Sequence, residues 1–303
     1  MKLGYIGLGK MGFNMVERLL EKGHNVVVYD KDEKAVAGIA EKGAQASASL
    51  QSLITALPPP RLVWLMIPYQ AVESMVKGLG SLLREGDTMI DGGNSPFKES
   101  IRRAEELGKK GIEFLDVGVS GGPGGARNGA CLMIGGKERL FEKFESLFRD
   151  LSVENGYGYM GRSGSGHFVK MVHNGIEYGM MQAIAEGFAV MKTSPLDLDL
   201  LKIADVYNHR SVIESRLVEW LKNAFEAHGA DLKEISGSVA QSGEGKWTVE
   251  AANELGVPVP IIEGAMNFRM ESQEKPSYTG QIVSALRNQF GGHEVIKKEK
   301  GEA

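Results

Sequence analysis

Between Gly161 and Gln182 the chain reads GRSGSGHFVKMVHNGIEYGMMQ. Taken as a helix, this stretch places Lys170, His173, Asn174, Glu177 and Tyr178 at relative positions 0, 3, 4, 7 and 8. At 3.6 residues per turn those five share one face. The face holds a base, an imidazole, an amide, an acid and a phenol, the side chains of proton transfer and polar-ligand binding. The plain alternative is a solvated helix face. Val169, Val172, Ile176 and Met180 recur at helical spacing on a neighbouring face, which is expected to be the buried one. Gly164, Gly166, Gly175 and Gly179 weaken the helix by propensity. Glycines there imply close approach of another backbone or a ligand.

The elements that must position this face begin at the N-terminus. Residues 2–6 read as a buried strand, followed by Gly7-Leu8-Gly9-Lys10-Met11-Gly12, a helix from Phe13 to Lys22, and a second strand ending at Asp30. Strand, G-x-G-x-x-G, helix, strand and acid form the dinucleotide-binding fingerprint. The glycines allow a tight turn and let a pyrophosphate rest on a helix N-terminus. A carboxylate at Asp30 accepts bonds from ribose hydroxyls and repels a 2′-phosphate, favouring NAD over NADP; Lys31 and Lys34 partly offset that.

Further strands are expected at 61–68, 88–91, 113–119 and 157–160, with helices at 33–41, 49–55, 71–83 and 100–109. Alternation with short connections implies a parallel, doubly wound sheet covered on both faces. Its ligands bind at the carboxyl ends of strands, which puts Ile67-Pro68, Asn94 and Ser120-Gly121-Gly122 on the rim. Residues 119–136 read as a glycine-rich loop, a short strand and a turn, whose N–H groups suit an anion. After a boundary near 162 the pattern is all-helical, with candidates at 166–192, 197–208, 211–227, 231–236, 247–255, 260–272 and 279–290. The fold class is therefore α/β: a Rossmann-type domain over 1–162 and an all-α domain over 163–303.

Composition narrows the function classes. With 303 residues and 42% hydrophobic content the chain has room for two globular domains. The net charge of −4 argues against nucleic acid. No apolar run approaches the ~20 residues of a membrane span, and no signal peptide is expected. One cysteine, Cys131, excludes an internal disulfide and suits a reducing cytoplasm.

The motifs together resemble those of decarboxylating 6-phosphogluconate dehydrogenase in a short form. They are Gly7–Gly12, Ile90-Asp91-Gly92-Gly93-Asn94, Gly118-Val119-Ser120-Gly121-Gly122, Leu132–Gly136, the run Gly166–Gly179, Gly245-Lys246-Trp247-Thr248, and Arg287 with Phe290-Gly291 and His293. The resemblance implies Lys170 as the base at the C3 hydroxyl and Glu177 as the acid that protonates C1, with no metal. It implies Asn94, Ser120, Gly121, Gly122, His173 and Asn174 on the sugar acid, and Tyr178, Arg269, Arg287 and His293 on the phosphate. Cofactor contacts would come from Gly7, Leu8, Gly9, Met11, Gly12, Asp30, Met66, Ile67 and Asn94. It further implies a homodimer or homotetramer whose C-terminal tail enters the partner's site.

Two departures stand out. Long members carry a lysine where this chain has Ser242, so one phosphate ligand is missing or replaced, with Lys246 a candidate. NADP-using members end the second strand in Asn-Arg-Thr, whereas Tyr29-Asp30-Lys31 agrees with NAD. The competing readings are a β-hydroxyacid dehydrogenase for a small unphosphorylated acid, which needs neither Glu177 nor Arg287, and a non-catalytic NAD-binding protein.

Overall fold

The computed structural model describes residues 1–240 and 243–292; Ser242 and His293 lie outside them. The chain divides by contacts into Met1–Met171 and Val172–Ala303. In the first unit the order is β1 (Lys2–Ile6), α1 (Lys10–Glu21), β2 (Asn25–Tyr29), α2 (Glu33–Ala40), β3 (Gln45–Ala46), α3 (Leu50–Thr55), β4 (Leu62–Leu65) and α4 (Tyr69–Leu79). There follow β5 (Thr88–Asp91), α5 (Phe97–Gly108), β6 (Glu113–Ser120), α6 (Gly122–Asn128), β7 (Ala130–Gly136), α7 (Glu138–Lys143), α8 (Glu145–Leu151) and β8 (Ser152–Gly161).

The strands form one sheet in the order β3-β2-β1-β4-β5-β6-β7-β8. The chain order reverses between β1 and β4, the switch point at which such sheets open a crevice. Alternate residues feed opposite cores, because strand side chains alternate faces. Leu3, Tyr5, Val26, Val28 and Trp64 pack with Met15, Val16 and Leu19 of α1. Ile6, Val27, Val63 and Leu65 pack with Val72, Val76 and Leu79 of α4. One pairing departs from the all-parallel expectation: β7 runs antiparallel to β6, and β8 is parallel to β7. Gly121–Gly129, which joins β6 to β7, is shorter than the dozen or so residues a parallel crossover takes. The glycine-rich loop expected there is folded into α6, with Gly121 at φ 127° and Gly122 at φ 62° leading into it.

α9 (Ser165–Thr193) starts in the first unit and continues as the first element of the second. α10 (Leu200–Tyr207), α11 (Arg216–His228), α12 (Glu244–Leu255), α13 (Pro260–Glu271) and α14 (Tyr278–Gly291) follow. Met181, Ala185 and Phe188 of α9 share a core with Leu221 and Phe225 of α11 and Ile282 and Leu286 of α14. The expected helix at 231–236 does not form: this segment is turns, with Leu232 at φ 47°. The Gln281 amide binds the carbonyls of Leu232 and Ile235 at 3.1 and 2.8 Å, so a side chain of α14 holds this segment in its turn form. α11 starts later than expected, where Ser215 accepts the Val218 N–H.

The larger correction concerns α9. Val169, Ile176 and Met180 are exposed, at 36%, 52% and 43%. Lys170, Asn174 and Tyr178 are buried, at 7%, 9% and 5%. The polar face, not the apolar one, is turned into the protein. Among the described residues no helix is long and apolar enough to cross a membrane.

Candidate active site

The nucleotide end of the first unit is built by close backbone contacts. Gly7, at φ 101°, follows β1 and sits against Met66 and Ile67 at the end of β4; a Cβ there would run into the Met66 carbonyl oxygen. A Cβ on Gly12 would run into the Gly7 carbonyl oxygen. α1 begins at Lys10 with Gly9 as its N-cap and no side-chain cap, a kind of helix N-terminus that suits an anion. Asp30 ends β2 and accepts from the Leu8 N–H and, at 2.8 Å, the Asp32 N–H. The carboxylate is thereby tied to the glycine turn. These residues fit a dinucleotide: a glycine turn, a helix N-terminus with no side-chain cap and an acid beside it.

Asp91 was not singled out for a role in the sequence, yet it orders the next rim loop. Its carboxylate, fully buried, accepts from the Gly93 N–H at 3.1 Å and the Ser95 hydroxyl at 2.7 Å. Arg103 of α5 lies 3.7 Å away. Asn94, between those two anchored residues, is exposed. Its place in a strand-end Asp-Gly-Gly-Asn-Ser run was the available signal.

Lys170, on the first turns of α9, lies on β6. A Cβ added at Gly118 would collide with the Lys170 Cβ and approach its Cγ to 3.1 Å. Ser120 ends the same strand, followed by Gly121 and Gly122. In the second unit, the His173 Nδ1 is 3.0 Å from the Asn174 Oδ1 and 4.0 Å from the Glu177 carboxylate. Lys170 and Glu177 are seven residues apart on one helix, about 10 Å along its axis at 1.5 Å per residue.

The second unit also holds a cationic cluster. Arg269 of α13 is 3% exposed, and its guanidinium lies over the Tyr178 ring, 3.3 Å from the centroid. Arg287 of α14 is 7% exposed. Among the described residues neither makes an ion pair. Burial, reinforced by the charge of Arg287, pulls Arg269 down to about 10, and burial lowers Arg287 too. The Tyr178 hydroxyl is buried without a hydrogen-bond partner among the described residues. Gly245 of α12 packs on that ring, where a Cβ would come within 2.5 Å. Glu244, buried beside it, adds a negative charge felt by both arginines. Sequence reasoning missed Glu244, whose position at a helix start hides it as an ordinary first-turn acid. Two buried guanidiniums and an unpartnered phenol are costly unless an anion joins them.

A doubly wound nucleotide-binding sheet and an all-helical unit, with an amine on the helix that starts in one and runs into the other, define a dinucleotide-dependent dehydrogenase. The chain belongs to the 6-phosphogluconate dehydrogenase family. Residues 2–161 match the NAD-binding domain of that family and residues 166–303 its C-terminal domain. The chain is 48% identical over 298 residues to YqeC of Bacillus subtilis, covering 98% of this chain and 100% of that one. It is 42% identical over 301 residues to the NAD(+)-dependent, decarboxylating 6-phosphogluconate dehydrogenase of Haloferax volcanii, covering 99% and 100%. The solved 6-phosphogluconate dehydrogenase of Plasmodium falciparum superposes with a TM-score of 0.82 at 30% identity, over 100% of this chain and 67% of that one. A 3-hydroxyisobutyrate dehydrogenase of Mycobacterium tuberculosis, at 19% identity and TM-score 0.75, shares the fold.

Proposed function

We propose that the protein oxidises and decarboxylates 6-phosphogluconate to ribulose 5-phosphate and carbon dioxide, with NAD favoured and NADP the secondary acceptor. The observation that carries this reading is the buried pair Arg269 and Arg287 around the Tyr178 phenol, a site for a multiply charged anion such as a phosphate monoester. An unphosphorylated hydroxy acid would leave both guanidiniums unmatched. The Haloferax relative bears the same activity and cofactor in its name.

The bound nicotinamide supplies the hydride acceptor. Lys170 takes the C3 hydroxyl proton as that carbon is oxidised. It is 7% exposed, and an amine must be neutral to act as a base. The resulting β-keto acid loses C1 as carbon dioxide while the protonated Lys170 holds the developing enolate oxygen. Glu177, two turns along the same face, delivers a proton to the former C2, which is C1 of the ribulose product, as the enediol becomes the ketone. Asn94, Ser120, Gly121, Gly122, His173 and Asn174 hold the sugar acid, and Tyr178, Arg269, Arg287 and His293 the phosphate. Gly7, Leu8, Gly9, Met11, Gly12, Asp30, Met66 and Ile67 hold the dinucleotide, with Asn94 shared. We divide the chain functionally into a dinucleotide domain over 1–162 and a substrate domain over 163–303, working in the cytoplasm as a homodimer or a homotetramer whose tail reaches the partner's site.

The test is a panel of phosphorylated and plain hydroxy acids with NAD and NADP, following nucleotide reduction and gas release together. Equal rates of both with 6-phosphogluconate are expected, and Lys170→Met should abolish them with NAD affinity retained. Reduction without carbon dioxide would refute the decarboxylase reading. Activity of Lys170→Met within about tenfold of the parent would remove the lysine from the mechanism.

A further inference from the structure

The amine assigned as the base is only as well placed as the start of its helix, and one carboxylate holds that start. Asp116, in the middle of β6, is fully buried. One carboxylate oxygen accepts the Gly164 N–H at 2.7 Å and the other accepts the His167 N–H at 2.9 Å. These are donors that a helix leaves unpaired at its beginning. Lys170 follows His167 by three residues, about one turn. No lysine, arginine or histidine pairs with Asp116 among the described residues. The N-terminal end of a long helix, equivalent to roughly half a positive charge, is its counter-charge.

The surrounding backbone leaves little freedom. Asp116, Gly118 and Ser120 alternate along β6 and so share one face of the sheet. Gly118 lies under the Lys170 stem. Gly135 of β7 is so close to the cap that a Cβ there would sit 2.5 Å from the Gly166 N and 2.7 Å from the Asp116 carboxylate. His167 adds a tie to α5, its Nδ1 lying 2.7 Å from the Ser100 hydroxyl. One strand therefore carries the cap, the seat and a rim residue at successive same-face positions.

We propose that Asp116 is a positioning residue for Lys170: its two-point cap fixes the first turn of α9 against β6 and so sets where the amine is delivered. The inference rests on Lys170 being the base. It does not require Asp116 to touch substrate or cofactor.

The test compares Asp116→Ala and Asp116→Asn with the parent, reading melting temperature, NAD affinity, and kcat and KM for 6-phosphogluconate separately. A misplacement near an ångström is worth up to about a hundredfold in rate. Asp116→Ala should therefore lower kcat by roughly tenfold or more, with KM and NAD affinity within about threefold. Asp116→Asn keeps one acceptor and loses the other, so it should recover part of that deficit. A folded Asp116→Ala with kcat within about threefold of the parent overturns the proposal. So does a loss in which NAD affinity falls as far as kcat, which marks a merely structural role. Should the alanine variant fail to fold, Asp116→Asn decides alone: a kcat within about twofold of the parent overturns the proposal. Lys170→Met is assayed alongside. Activity in that variant would defeat the base assignment, whereas a dead Lys170→Met beside a fully active Asp116 variant defeats only the cap.

Discussion

At the scale of single residues, the arginines are the sharpest commitment. An unpaired guanidinium nine-tenths buried is tolerated only where a ligand makes up the deficit. A hydrogen bond to a charged group contributes about 1.5–3 kcal/mol. Arg287→Ala should thus raise the KM for 6-phosphogluconate roughly tenfold to a hundredfold while leaving that for NAD nearly unchanged. A ligand-only readout separates binding from turnover. Inorganic phosphate should raise the melting temperature of the parent, because it binds only the folded state, and should do so much less in the variant. A variant that still binds 6-phosphogluconate normally would remove Arg287 from the site. Much of the polar constellation was legible, because spacing alone gathers Lys170, His173, Asn174, Glu177 and Tyr178 on one face. Asp116 and Glu244 were not. Each makes contacts set by tertiary packing, and in the sequence each looks like an ordinary acid in a strand or at a helix start.

At the scale of elements, the period-2 and period-3.6 patterns located β1, β2, β4, β5 and β6 and the helices α1 to α5 of the nucleotide-binding half, but not β3, α7 or α8. They failed where glycine or a distant side chain sets the backbone. α6 is hidden in Gly-Pro-Gly-Gly, which propensity alone reads as loop. The segment 231–236 holds the helix formers Leu232, Lys233 and Glu234, but Gln281 binds the carbonyls of Leu232 and Ile235. α9 defeats the amphipathic rule outright: it buries Lys170, Asn174 and Tyr178 and leaves Ile176 and Met180 outside. The packing of α9 on β6 yields its own prediction. Gly118→Ala would place a methyl group into the Lys170 stem. Overpacking of that kind costs about 1–3 kcal/mol, so the melting temperature should fall by several degrees. The methyl also displaces the amine, so kcat should fall more than stability alone explains. A Gly118→Ala protein with a lowered melting temperature and an unchanged kcat would show that the seat under Lys170 tolerates movement.

At the scale of the whole molecule, the exposed apolar side of α9 asks what covers it. Gly179 of α9 lies beside Ile261 of α13, where a Cβ would come within 3.2 Å of the Ile261 Cγ2. Ile261 itself is 71% exposed, and Met180, one residue from Gly179, is 43% exposed. We read these exposed apolar side chains as a surface that another protein covers, with a second copy of the chain as the partner the tail proposal calls for. Ile261→Glu is the cleaner probe, because α13 is not the helix that carries Lys170. If this face is covered by a second copy, a carboxylate there would be buried without a partner, so the assembly should dissociate over a protein concentration range where the parent stays associated. If the partner's tail completes the phosphate site, specific activity should fall with the dissociation and recover as concentration rises. Sedimentation of the parent as a fully active monomer would refute both the covered face and the shared site; dissociation of Ile261→Glu without loss of specific activity would refute the shared site alone.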